Sequence, residues 1–145
     1  MTNKTENDIT KFFRGRDASL KLFKLLRKLI ERHRSPKIEV SKTQISFGED
    51  YKYIWVWLPQ TWIKKRSESS ITLTIVTGKK IQSDKIEESV QSKKGYWTHH
   101  IIIENGKDID KEIEDLIQES FNFYLERLEH NGKVNRNALG PNFRI

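Results

Sequence analysis

The hydrophobic period of this 145-residue chain changes twice. Residues 17–33 repeat their apolar positions at helical spacing, residues 38–103 mostly at a spacing of two, and residues 108–130 at helical spacing again. Each amphipathic face needs an apolar layer to bury against. Two such helices bracketing a block of strands predict a two-layer α+β fold, a mainly antiparallel sheet with both long helices packed on one face. The short polar loops between the strands favour antiparallel neighbours.

In the first helix Ala18, Leu22, Phe23, Leu25, Leu26, Leu29, Ile30 and His33 share one face, and Lys21, Lys24, Arg27, Lys28, Glu31, Arg32 and Arg34 the other. Asp17 reads as its N-cap and Ser35-Pro36 as its stop. Ile38/Val40 and Ile45/Phe47 open the strands, and Gly48-Glu49-Asp50 reads as a hairpin turn. Tyr51 to Leu58 is apolar or aromatic on both parities, which marks a central strand. Ile71 to Ile75 alternates as a half-buried strand, residues 83–91 are ambiguous with room for a helical turn, and Trp97 to Ile103 is the last strand. Ile109, Ile113, Leu116, Ile117, Phe121, Phe123, Tyr124 and Leu128 form the apolar face of the last helix. Arg127 lies on that apolar side and is expected to snorkel to water. One domain is expected over 1–145, ordered over about 9–130, with 1–8 and 133–145 as polar, flexible ends.

Composition removes several functions. With no cysteine there is no disulfide, thiol nucleophile or Cys-based metal site. No apolar run approaches the ~20 residues of a helical membrane span, and the start, MTNKTENDIT, lacks the apolar core of a signal peptide. A cytoplasmic protein without membrane contact is expected. Gly78-Lys79 lacks the remaining residues of a phosphate loop, with Leu73 and Lys80 where Gly and Ser or Thr belong. Ser46 has no nucleophile elbow around it. His99 and His100 are successive strand residues, so their rings point to opposite faces and cannot share a metal. One is expected in the core layer, hydrogen-bonded, and one on the other face. No catalytic residue, metal or cofactor is predicted.

The sharper clue is the face turned away from the helices. If Ile54, Val56 and Leu58 face the helices, Tyr51, Tyr53, Trp55 and Trp57 line the other side. The same alternation sends Gln44, Ser46, Thr72, Thr74, Thr98 and His100 outward. A surface aromatic in its middle and hydrogen-bonding around it suits a small ligand or a protein partner, a second copy included. A covering by the 60–69 loop or the tail is the bland alternative.

The net charge of +7 is concentrated in the front half, while 104–129 is acidic. Lys64, Lys65 and Arg66, with the basic face of the first helix, form a candidate anion-binding set. A nucleic-acid-binding accessory role is therefore the alternative to the open-face reading, provided helix and loop form one stripe.

Several stretches together resemble a known family. Phe12-Phe13-Arg14-Gly15 precedes Ser19-Leu20-Lys21-Leu22-Phe23. Val40-Ser41-Lys42-Thr43-Gln44-Ile45-Ser46-Phe47, Trp55-Val56-Trp57-Leu58-Pro59 and Ile71-Thr72-Leu73-Thr74 follow. Tyr96-Trp97-Thr98-His99-His100-Ile101-Ile102-Ile103, Asp108-Ile109-Asp110 and Glu119-Ser120-Phe121 complete the pattern. Over about 12–127 the chain resembles the bacterial family DUF 5655, of unknown function. The resemblance implies a small cytoplasmic α+β domain, similar to modules found fused to nuclease-like domains, with no established activity or catalytic residues. Lys85 stands where relatives commonly carry Arg, so an anion contact there would lose its bidentate geometry. The functional expectation is a non-catalytic binding domain that uses its open sheet face.

Overall fold

A computed structural model describes residues 3–32, 34–58 and 69–131. Helices α1 (Asn3–Phe12) and α2 (Asp17–Ile30) lead into strands β1 (Ile38–Val40), β2 (Gln44–Phe47), β3 (Ile54–Trp57) and β4 (Ile71–Thr77). Strands β5 (Ile86–Lys93) and β6 (Tyr96–Ile103), a 3-10 turn at Gly106–Asp108 and helix α3 (Lys111–His130) follow. The strands form one sheet in the order β1-β2-β3-β4-β6-β5, every neighbouring pair antiparallel. The α+β fold is as expected. Among the described residues no helix is long and apolar enough to cross a membrane.

The long helices α2 and α3 touch each other and β4, the middle of the sheet. Ile45, Phe47, Ile54, Val56, Ile71, Leu73, Ile75, Ile101 and Ile103 are buried beneath them. The α2 stripe is narrower than its apolar letters suggest: Leu22, Phe23, Leu26, Leu29 and Ile30 are buried, but Leu25 is 47% exposed. Asp17 is the first helical residue rather than the cap, which is Arg16.

The segment expected to fray is, from Asn3 onward, a helix. Ile9 is buried, and just past the helix end so is Phe13, whose ring lies 5.2 Å from that of Phe23. Glu6 clamps the guanidinium of Arg27 with two hydrogen bonds of 2.8 and 3.1 Å. Arg27 also bonds Glu31, so it is not part of a free basic face.

Residues 86–93, in the stretch that is ambiguous in sequence, form strand β5 rather than a helical turn. Its polarity hid it: as the last strand in the order it has one neighbour among the described residues, and most of its residues are exposed. β4 is likewise no half-buried strand, because all seven residues are buried. It lies between β3 and β6, whose larger side chains flank its threonines.

Candidate functional site

Alternation across the sheet assembles the face opposite the helices. One cross-strand row runs Glu39, Ser46, Trp55, Thr74, His100 and Glu88, each residue opposite the next. The adjoining row runs Gln44, Trp57, Thr72 and Ile102. On the other side lie Val76, Thr98 and Val90. Directly opposite residues on one face have Cβ atoms within about 5.5 Å, so each row is a contact row.

The face is more shielded than alternation alone implies. Thr72 and Thr74 are each only 3% exposed, and Ser46 is buried too. These short side chains sit beside the rings of Trp55 and Trp57. Gln44, Trp55, Trp57, Thr98 and His100 stay half-buried. The indole N–H of Trp57 is buried and, among the described residues, has no hydrogen-bond partner.

Tyr51 and Tyr53 do not belong to this face. Tyr53 is 1% exposed, with its ring 4.9 Å from that of Tyr124 and 5.5 Å from that of Phe121 on α3. The strand begins only at Ile54, so two-residue alternation does not reach back to Tyr53. Gly48 at φ +140 turns the chain there, and the Tyr53 amide bonds the Phe47 carbonyl. Burial pushes the Tyr53 hydroxyl well above the usual tyrosine range. Tyr51 packs instead on Tyr124 and on Arg127. Arg127 does not simply snorkel: its guanidinium lies 4.1 Å from the Tyr51 ring, 5.2 Å from Tyr96 and 5.6 Å from Phe123.

The two histidines divide as expected. His99 is buried on the helix side, within 2.8 Å of Thr77 Oγ1 through Nε2 and 2.7 Å of Ser89 Oγ through Nδ1. Thr77 gives its own proton to the Lys79 carbonyl, at 2.6 Å. It must therefore accept from Nε2–H, which leaves Nδ1 to accept from Ser89. That chain fixes one neutral tautomer, and burial holds the His99 pKa below its ordinary value. His100 lies on the opposite face, with Nδ1 2.8 Å from Thr74 Oγ1. Burial lowers its pKa too, against the opposing charge of Glu88. Among the described residues no group of His, Cys, Asp or Glu could hold a metal.

The anion candidates fare differently. Lys64, Lys65 and Arg66 lie outside the described residues. Lys85 pairs with Asp110 at 2.8 Å, and that hydrogen bond raises its pKa. Arg32 bonds Glu114, and the Arg34 guanidinium lies 3.6 Å over the ring of Phe121. Three arginines of the expected basic face are thus held by partners within the fold.

The sequence profile of a domain of unknown function, DUF5655, matches residues 9–124. The chain belongs to the DUF5655 family. The match takes in α2 and all six strands, so the row from Glu39 to Glu88 lies within the DUF5655 domain. No curated protein and no solved structure matches the chain.

Proposed function

We propose that this DUF5655 domain is a non-catalytic binding module whose working surface is the sheet face around Trp55, Trp57 and His100. It takes a protein partner, a second copy included, or a small ligand. The observation that carries this reading is the Trp57 indole N–H, buried without an acceptor among the described residues in a ring that is itself half-buried. Leaving such a donor unpaired costs roughly 1–3 kcal/mol, and a bound group that brings an acceptor recovers that energy. Trp55 beside it supplies aromatic area, and Gln44, Thr98 and His100 supply polar contacts at the rim. The cytoplasm is the compartment that a cysteine-free composition fits.

The alternative, a nucleic-acid accessory role, is weakened by the engagement of Arg27, Arg32 and Arg34 within the fold. It rests on Lys21, Lys24 and Lys28 with the 64–66 cluster.

Denaturant melts and sedimentation of wild type and Trp55→Ala test the reading. A hot-spot aromatic loses association or ligand capture with little loss of stability. A core aromatic costs about 3–5 kcal/mol on truncation, and that outcome with a monomeric wild type overturns the proposal.

A further inference from the structure

We propose that the outer edge of β1 and helix α1 form a groove that takes an extended acidic segment of another protein as an added strand. This rests on the β1 edge and is independent of the open-face reading. β1 ends the strand order on the side away from β5, and among the described residues β2 is its one strand partner. The Gly48 amide bonds the Lys37 carbonyl at 2.9 Å, and the Ser41 amide bonds the Gln44 carbonyl at 2.8 Å. Along one edge of an antiparallel ladder, inward and outward residues alternate. With Glu39 opposite Ser46, the N–H and C=O of Glu39 therefore turn to β2. Those of Ile38 and Val40 turn outward.

The outward groups open into a groove between β1 and α1, which packs along it. Three cavities of ≈ 620, ≈ 240 and ≈ 490 Å³ follow one another there, each sharing lining residues with the next. Ile38 lines the first two and Val40 the last two, together with Thr5 and Asp8 of α1. A donor and an acceptor on each of two residues, two positions apart on one line, match the groups that an extended peptide presents. Such an edge is a template for another strand.

Charge selects the side chains. Each acidic residue along the groove is already engaged. Asp8 pairs with Lys4 at 2.8 Å, Glu31 with Arg27 at 3.3 Å and Glu39 with Lys52 at 2.8 Å. Glu49 accepts the Lys37 amide at 3.0 Å. Lys11 and Lys42 line the end of the groove beside Val40, are exposed, and form no ion pair among the described residues. A carboxylate on the incoming strand is the partner that these two ammonium groups favour. The chain's own segments outside the described residues carry the wrong sign. Residues 132–145 hold Lys133, Arg136 and Arg144 and no acidic residue, and 59–68 hold Lys64, Lys65 and Arg66 against Glu68. The β1 edge of a second copy, antiparallel with its Ile38 opposite Val40, would set its Lys37 near Lys42, cation against cation.

Fluorescence anisotropy on the full chain tests this, with blocked, fluorescein-labelled hexapeptides that alternate Glu with Val, Ile, Thr or Leu. The acidic peptides should bind with a dissociation constant below about 1 mM, and the same peptides with Lys in place of Glu should not. Lys11→Glu and Lys42→Glu should each weaken binding roughly tenfold with an unchanged melt. N-methylation of every second peptide amide should abolish binding in one parity and spare it in the other, because a strand bonds its neighbour through alternate residues. Val40→Pro removes an outward N–H, leaves the β2 ladder intact and should weaken capture. If Val40→Pro unfolds the chain, the methylated peptides decide. No binding by any acidic peptide, equal binding by both methylation parities, or lysine variants that bind as wild type does would each overturn the proposal. So would binding lost in Trp55→Ala and kept in Lys42→Glu, which moves the contact to the open face. A wild-type dimer abolished by Val40→Pro would make a second copy the occupant, and tighter capture after deletion of 132–145 would make it the tail; either contradicts the proposal.

Discussion

Ser120 Oγ lies 2.7 Å from the main-chain oxygen of Tyr53, at the point where β3 parts from β4. The last β3–β4 pair is Ile54 with Ile75, so the backbone beyond it has no strand partner on that side. Ser120, fully buried on α3, fills the gap. Its oxygen accepts from the Val76 amide at 3.2 Å, and its proton is shared between the Tyr53 and Val76 carbonyls, the latter at 2.8 Å. Ser19 on α2 makes the matching tie to the Ser70 carbonyl just before β4, at 3.0 Å.

Ser120→Ala should therefore cost more than one surface hydrogen bond. It leaves a buried amide without its partner, and each orphaned group costs roughly 1–3 kcal/mol. Equilibrium urea unfolding reads this as a lower midpoint at unchanged slope. A loss below about 0.5 kcal/mol would mean that water takes over these groups.

Gly48 tests the turn that carries Tyr53 into the core. Its φ of +140 is a region that side chains avoid, and an added Cβ would lie 2.0 Å from the Tyr51 carbonyl oxygen. Gly48→Ala should lose about 1–3 kcal/mol from backbone strain, with the clash added. Near-UV circular dichroism should report disturbed packing of Tyr53 and Tyr124. A variant as stable as wild type would contradict the geometry of this turn.

The histidines give stability a pH dependence of fixed sign. Burial holds both His99 and His100 below their ordinary value of 6.5. On acidification the unfolded chain takes up protons first, so acid favours unfolding. The contribution is complete above about pH 6.5 and falls as pH drops through the window below it, by at most ~1.4 kcal/mol per pH unit for each group. His99→Gln should flatten the pH dependence of the unfolding free energy below about pH 6.5. An unchanged slope would show that His99 takes up its proton equally in both states.

Periodicity carried the architecture as far as periodicity reaches. The helical spacing of α2 and α3 and the alternation in β2, β4 and β6 are local signals, and they place Ile45, Leu73, Ile101 and His99 beneath the helices. What lay outside was set by neighbours. β5 has no apolar pattern because its outer side has no described neighbour, so Glu88, Val90 and their places in the rows were not foreseeable. Tyr53 alternates correctly with Trp55 in sequence, yet a turn at Gly48 rotates it to α3. The polar start of α1 gives no sign that Glu6 will clamp Arg27. On the candidate face the alternation of Trp55, Trp57 and His100 was legible. The burial of Thr72 and Thr74 was not, because it depends on which large side chains stand across the strand.

The most direct test of the binding face is thermal unfolding of Trp57→Phe beside wild type, alone and with a panel of planar small molecules bearing hydrogen-bond acceptors. Phenylalanine keeps most of the ring area and removes the unpartnered N–H. The account predicts that the free variant melts at or above wild type. It further predicts that a compound raising the wild-type Tm raises that of the variant less. A free variant that melts several degrees lower, with no compound separating the two proteins, would contradict it and make Trp57 a structural residue.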